Sequence, residues 1–311
     1  MNTMESIKSE SNIVQKDCKN IPKDKTFKEV WSERWKTYKA HPVSLGFFIL
    51  VSLCALITAF VFLFLVGYVV VKGVPYLKPS LFSPTYTSEN VSMLPSIVTT
   101  LEMVGLSLLI SVPFGVGCAI YLVEYAKKGN KVVKIIRLTT QTLSGIPSIV
   151  YGLFGMLFFV TSLHWGYSLL AGSFTIAIMI LPIIITSTEE ALMTVDDSYR
   201  EGSFGLGAGK LRTIFVIVLP SAMNGILAGI ILAIGRIIGE TAALIYTAGT
   251  MAQIPSNVFS SGRTLATHMY LLSGEGLHMN EASAVAVVIL ITVLALNGVA
   301  SLIAKKLTKG K

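Results

Sequence analysis

The chain has 311 residues, 53% of them hydrophobic and only 14% charged, with a mean hydropathy of +0.70 and a formal net charge of +8. So little polar surface cannot wrap a water-soluble globule of this size, so a soluble protein is excluded and a membrane protein remains. The excess of Lys and Arg would suit nucleic acid only if it were gathered on one soluble face, and its distribution along the chain is different.

In chain order, residues 1–41 form a hydrophilic tail of mixed charge, expected to be cytoplasmic and at most partly helical. Pro42 to Val71 carries no Asp, Glu, Lys or Arg over 30 residues, Met103 to Val123 none over 21, and Ala282 to Ala304 none over 23. About 20 apolar residues suffice to cross a hydrocarbon core roughly 30 Å thick, so each predicts one spanning helix. Leu138 to Thr188 is charge-free for 51 residues and is interrupted by SLHWGYS, which suits an interfacial turn and divides the run into two spans. A fifth span is expected from about Pro220 to Tyr246, which makes six.

Of the 25 Lys and Arg, 21 fall on the side of the two termini and of the second and fourth connections. Lys72, Lys78 and Arg263 lie on the other side, and Arg236 within the fifth span. This is the positive-inside pattern and predicts that both termini are cytoplasmic. The first span is too long for a signal-peptide core and follows a long hydrophilic tail, so no secretory signal is expected. Cys18, Cys54 and Cys118 imply neither a disulfide framework nor a metal site. The four histidines are scattered over termini and outer loops and suggest no metal.

Gly and Pro punctuate the spans: Pro113, Gly115 and Gly117 in the second, Gly145, Pro147 and Gly152 opening the third. They read first as packing positions, as do the GxxxG steps Gly225 with Gly229 and Gly235 with Gly239. The connection at 189–219 is long and polar. Its VDDSYREG predicts a helix beginning near Asp196, ended by the glycines at 205, 207 and 209. GLGAGKL within it is no phosphate-binding loop: Phe204 stands where the first Gly belongs, and Leu211 follows Lys210 in place of Ser or Thr. The segment is suited to docking in another protein's groove, or is simply a solvated loop.

In LAIGRIIGETAALIYTAG, Arg236 and Glu240 interrupt an apolar run. A charge at membrane depth costs from about 2.5 kcal/mol to above 10, so it faces a bundle interior or a watery path. On an unbroken helix, residues four apart share a face, so the two can pair. Either the pair neutralises itself and locks the span against a neighbour, or Arg236 lines an anion pathway with its planar guanidinium while Glu240 holds it and moderates its attraction. Glu102 is expected at the outer interface, in water.

Glu201-Gly202-Ser203, three residues, Gly207, nine residues, then Ile217-Val218-Leu219-Pro220 resembles the EAA loop of bacterial ABC importer permeases. Gly202 and Ser203 stand where that pattern has two Ala, and Glu201, Gly207, Ile217, Leu219 and Pro220 agree with it. AIYLVEYAKKG, TLSGIPSIVYGLFG and GILAGIILAIGRIIGETAALIYTAG resemble the phosphate-specific members of that group over roughly residues 45 to 305.

The resemblance implies an all-α polytopic membrane protein of six transmembrane helices with the type I ABC importer permease fold. It divides into the tail 1–41 and a permease domain 42–311 whose coupling loop is 189–219. It further implies a non-catalytic subunit of a bacterial inner-membrane importer for inorganic phosphate, without a cofactor of its own. Its partners would be a second permease subunit, a cytoplasmic ATPase dimer that binds ATP and Mg, and an extracytoplasmic phosphate-binding protein, with no role for nucleic acid. The outer segments Lys72 to Pro95 and Thr250 to Glu281 would meet the binding protein. Another oxyanion (sulfate, molybdate or tungstate) is the alternative cargo, and a secondary transporter with Glu240 as proton carrier is the alternative mechanism.

Overall fold

The computed structural model describes residues 42–309 except Lys128, and the expectations for the tail 1–41 lie outside the described residues. Those residues are helical and joined by turns and loops. Helix α1 is Pro42–Gly73; its part up to Gly67 falls in one unit and Tyr68 onward in another. In the first, Phe47, Leu50, Leu53, Phe60 and Leu63 are exposed along the helix, the all-round apolar surface of a lipid-facing span.

The second unit contains α2 (Leu94–Ile120), α3 (Lys131–Ser144), α4 (Ser148–Gly155), α5 (Leu169–Met193), α6 (Asp197–Gly205), α7 (Lys210–Thr213), α8 (Leu219–Gly239), α9 (Ala242–Thr247), α10 (Leu265–Glu275) and α11 (Met279–Lys309). Helices α2, α5 and α8 pack side by side, with α11 against α8 and α10. Their shared core gathers Met103, Ile176, Ile180, Ile184, Ile237 and Leu244, all nearly inaccessible.

Three differences from the expected spans have local causes. First, the third span is bent: α3 and the helix Ser148–Ser162 meet at 102° across Gly145-Ile146-Pro147. Pro147 cannot donate to the ladder and disfavours helical geometry in the residue before it, so the break falls there. Among the described residues, five helices are therefore long and apolar enough to span, or six if the bent pair counts as one.

Second, the fifth span begins at Lys210, ten residues before Pro220. A π-helical turn, Ile214–Val218, precedes α8, and its wider hydrogen bonding lets the helix pass Pro220 without ending. Third, the GxxxG steps differ: Gly225 lies against Ala191 and Gly229 against Ser187 of α5, whereas Gly235 and Gly239 face open space in this chain. The SLHWGYS turn is where expected, with His164 and Gly166 at positive φ and Trp165 stacked on Phe159 and edge-on to Phe174.

Helices α4 and α9 approach each other backbone to backbone. A Cβ added at Gly152 would lie 2.7 Å from Ala243 Cα, with no flexible side chain to yield. Gly152→Ala is expected to lower thermal stability by about 1–3 kcal/mol, whereas Gly235→Ala, in open space, leaves the melting midpoint of the isolated chain unchanged or slightly raised.

Candidate functional site

Helix α8 ends at Gly239, and Glu240 leaves it with φ −75° and ψ 129°. Two residues later α9 begins, and the Ala243 N–H donates to Glu240 Oε1 at 3.0 Å. A carboxylate at that position satisfies an otherwise orphaned donor and meets the positive end of the short helix. Glu240 is 8% exposed. The break removes the geometry on which its pairing with Arg236 depended, and no ion pair joins the two. Arg236 is instead exposed on α8 and close enough to Tyr151 for its charge to act on the phenol.

Tyr151 is buried and donates to the Leu143 carbonyl at 2.7 Å, across the α3–α4 bend. One helical turn from Gly152, Gly155 packs on Thr175 and Thr247. The SGIPSIVYGLFG and GETAALIYTAG stretches thus interlock, and Arg236 stands one turn before the break between α8 and α9. At membrane depth, irregular backbone is tolerated where protein buries it or where it lines a cavity.

At the other end of α8 lies the 189–219 loop. Asp196 caps α6, accepting from Ser198 N–H at 2.8 Å, and this bond holds its carboxyl below the usual carboxylate range. Gly207 has φ +82°, a conformation favouring glycine, and closes the turn. Ser203 is buried and shares a 2.8 Å hydrogen bond with Thr213 on α7. Glu201 and Gly202 are exposed, and Ile217, Leu219 and Pro220 are half-buried. Tyr199, Phe204 and Leu206 expose apolar surface around the helix, with Leu206 91% accessible. Apolar surface of this extent is uncommon on a purely solvated loop.

The residue that anchors α6 was missed by sequence reasoning. Arg200, one position before Glu201, donates to Glu124 Oε1 from Nη2 at 2.8 Å and from Nε at 3.0 Å. It also donates to the Val195 and Leu192 carbonyls and to Asp197. The Glu124 side chain is 8% exposed and that of Arg200 14%. Glu124 reaches it on a π-helical turn, Tyr121–Tyr125, that continues α2. A lone acid closing an apolar span was the available signal, but nothing local tells that it meets a residue 76 positions away.

In the segments 72–95 and 250–281, Arg263 is buried with its guanidinium 4.4 Å from the Tyr86 ring centre, and His268 meets the same ring edge-on. Burial and the Arg263 charge push the His268 imidazole down to about 3. Glu102, expected in water, is half-buried, and its Oε2 has no partner.

A family model described as "Binding-protein-dependent transport system inner membrane component" matches residues 111–310. The chain belongs to this family, and it is therefore a multi-pass inner-membrane permease subunit of an ABC importer. The probable ABC transporter permease protein YqgI of Bacillus subtilis (strain 168) is 34% identical over 281 residues, covering 83% of this chain and 95% of that protein. The phosphate transport system permease protein PstA of Pasteurella multocida (strain Pm70) is 35% identical over 203 residues, covering 61% and 72%. Among solved structures, a bacterial alginate ABC transporter in complex with an alginate pentasaccharide-bound periplasmic protein shares the fold, with a TM-score of 0.63 at 16% identity over 88% of this chain and 98% of that one.

Two tests follow from these geometries. Arg200→Ala strands the buried Glu124 carboxylate and is expected to cost about 3 kcal/mol; adding Glu124→Ala should recover part of that in a double-mutant cycle read by thermal unfolding. His268 is neutral in the fold, whereas the unfolded chain takes up a proton near pH 6.5. Stability is thus fully present above pH 6.5 and falls progressively as the pH drops toward 3. A His268→Gln chain should lack that component of a pH–stability curve.

Proposed function

We propose that the cargo of this importer is inorganic phosphate and that Arg236 lines its path through the membrane. The observation that carries the reading is an arginine at membrane depth that is exposed on its helix, has no ion pair among the described residues, and stands one turn before a helix break. A cation so placed is too costly to face lipid, so a watery path or a partner subunit must receive it. Its planar donors match tetrahedral oxyanions. The similarity to proteins named as phosphate permeases favours phosphate among these.

In this reading Glu240 does not restrain Arg236 directly. Capping α9, it holds the break that lets the arginine stand alone. The 189–219 loop docks on a cytoplasmic ATPase dimer through Tyr199, Phe204 and Leu206 around Glu201, Gly202 and Ser203. Gly207 turns the chain, and Ile217, Leu219 and Pro220 carry the displacement into α8. The chain hydrolyses no ATP itself. A second permease subunit completes the pore, a phosphate-binding protein delivers from outside, and both termini are cytoplasmic.

Uptake of labelled phosphate by cells lacking only this chain, with and without an added copy and in excess sulfate or molybdate, tests the cargo. Restoration by the copy, untouched by competitors, is expected; inhibition by a competitor would reassign the cargo to that oxyanion. Arg236→Gln should lower uptake by about 10- to 100-fold, the loss of a charge-assisted contact, at unchanged assembly. Wild-type uptake by that variant would remove Arg236 from the path.

A further inference from the structure

The amphipathic helix α3 has no part in the translocation or coupling readings. Its axis lies 102° from that of the helix that follows, so if the latter runs along the bilayer normal, α3 lies close to the membrane plane. At about 100° per residue its fourteen residues fall into three stripes. Val133 and Thr140 are buried against the bundle. Val132 and Ile135 project on one flank, 51% and 62% exposed. Lys134 and Arg137 project on the opposite flank, Lys131 lies between Lys134 and Ile135, and the buried stripe separates Val132 from Arg137. A helix held sideways by protein, apolar below and basic above, has the pattern of an interfacial helix.

The basic flank also lines a groove of about 360 Å³, shared with Asn130, Gln141 and the exposed Leu138, with no carboxylate in its lining. Arg137 is tied to Glu189 at 2.8 Å, which fixes one wall. Lys131 and Lys134 have no ion pair among the described residues. A neighbouring groove of about 590 Å³ is lined by Arg137 and Arg200, so both lie at the coupling-loop end of the bundle.

We propose that this groove binds the headgroup of an anionic phospholipid from the leaflet on the coupling-loop side. Lys131 and Lys134 hold the phosphodiester, while Val132, Ile135 and Leu138 lie among its acyl chains. Charge complementarity selects the occupant: a groove with two unpaired lysines beside an apolar flank at the end of the spans matches a lipid's anionic head and apolar tails. A soluble anion would leave the apolar flank without a partner. This inference is independent of the cargo assigned above.

The test uses the full chain, extracted from membranes with the subunits that co-purify, and native mass spectrometry with added phosphatidylglycerol or phosphatidylcholine. Wild type should retain phosphatidylglycerol in preference. Lys131→Gln/Lys134→Gln should weaken that retention on the order of 10- to 30-fold, from about 1 kcal/mol for each charge. Lys131→Arg/Lys134→Arg, and Lys72→Gln/Lys78→Gln at the opposite end, should retain it. The inference is overturned if wild type holds both lipids equally or if the Gln pair binds phosphatidylglycerol as wild type does. Displacement of the bound lipid by millimolar inorganic phosphate, or a photo-crosslink from position 135 that captures a protein subunit instead of lipid, would overturn it too.

Discussion

The seating of α4 on α9 through Gly152 and Ala243 is the contact on which the middle of the molecule depends. Both elements are products of interrupted helices, and each interruption leaves backbone groups that must be satisfied where water is scarce. Tyr151 caps one by reaching the Leu143 carbonyl, and Glu240 caps the other by accepting from Ala243. With Gly at 152 the two pieces approach to backbone distance, and the caps hold each other in register. Any side chain there would part them and uncover polar groups that have no other partner.

That arrangement explains why Arg236 and Glu240, so suggestive as a pair, are not one. A carboxylate has two competing uses at this place: neutralising a cation one turn away or capping the helix that follows. Continuing the helix would allow the first, and Gly239 permits the chain to leave it. The cap wins because the buried N–H of Ala243 has no alternative acceptor, whereas Arg236 reaches the surface of the chain. The result is an arginine whose charge remains available to whatever meets that surface.

At the end of the bundle that carries the 189–219 loop, one guanidinium gathers the turn that continues α2, the last turn of α5 and the whole of α6. Five hydrogen bonds from Arg200 leave little freedom for α6 to move without Glu124 and the Leu192 to Val195 turn moving too. The helix α6 is thus joined to two spans through Arg200 and to a third through the bond between Ser203 and Thr213. The small side chain at 203 is needed because it is buried in that joint, while Glu201 and Gly202 remain outside it.

Much of this was legible along the chain. The apolar runs marked their spans, Asp196 and the glycines bounded α6, and the spacing from Glu201 to Pro220 carried the family, because hydropathy, capping and turn geometry are properties of neighbouring residues. What escaped was each feature decided by approach: the bend between α3 and α4, the helix passing Pro220, the idle second GxxxG step, the separation of Arg236 from Glu240, and the union of Arg200 with Glu124. A local pattern says that a polar group must find a partner or that a glycine permits contact. Only the packing of segments distant in sequence decides which partner is near enough, since burial cost and hydrogen-bond geometry act between neighbours in space.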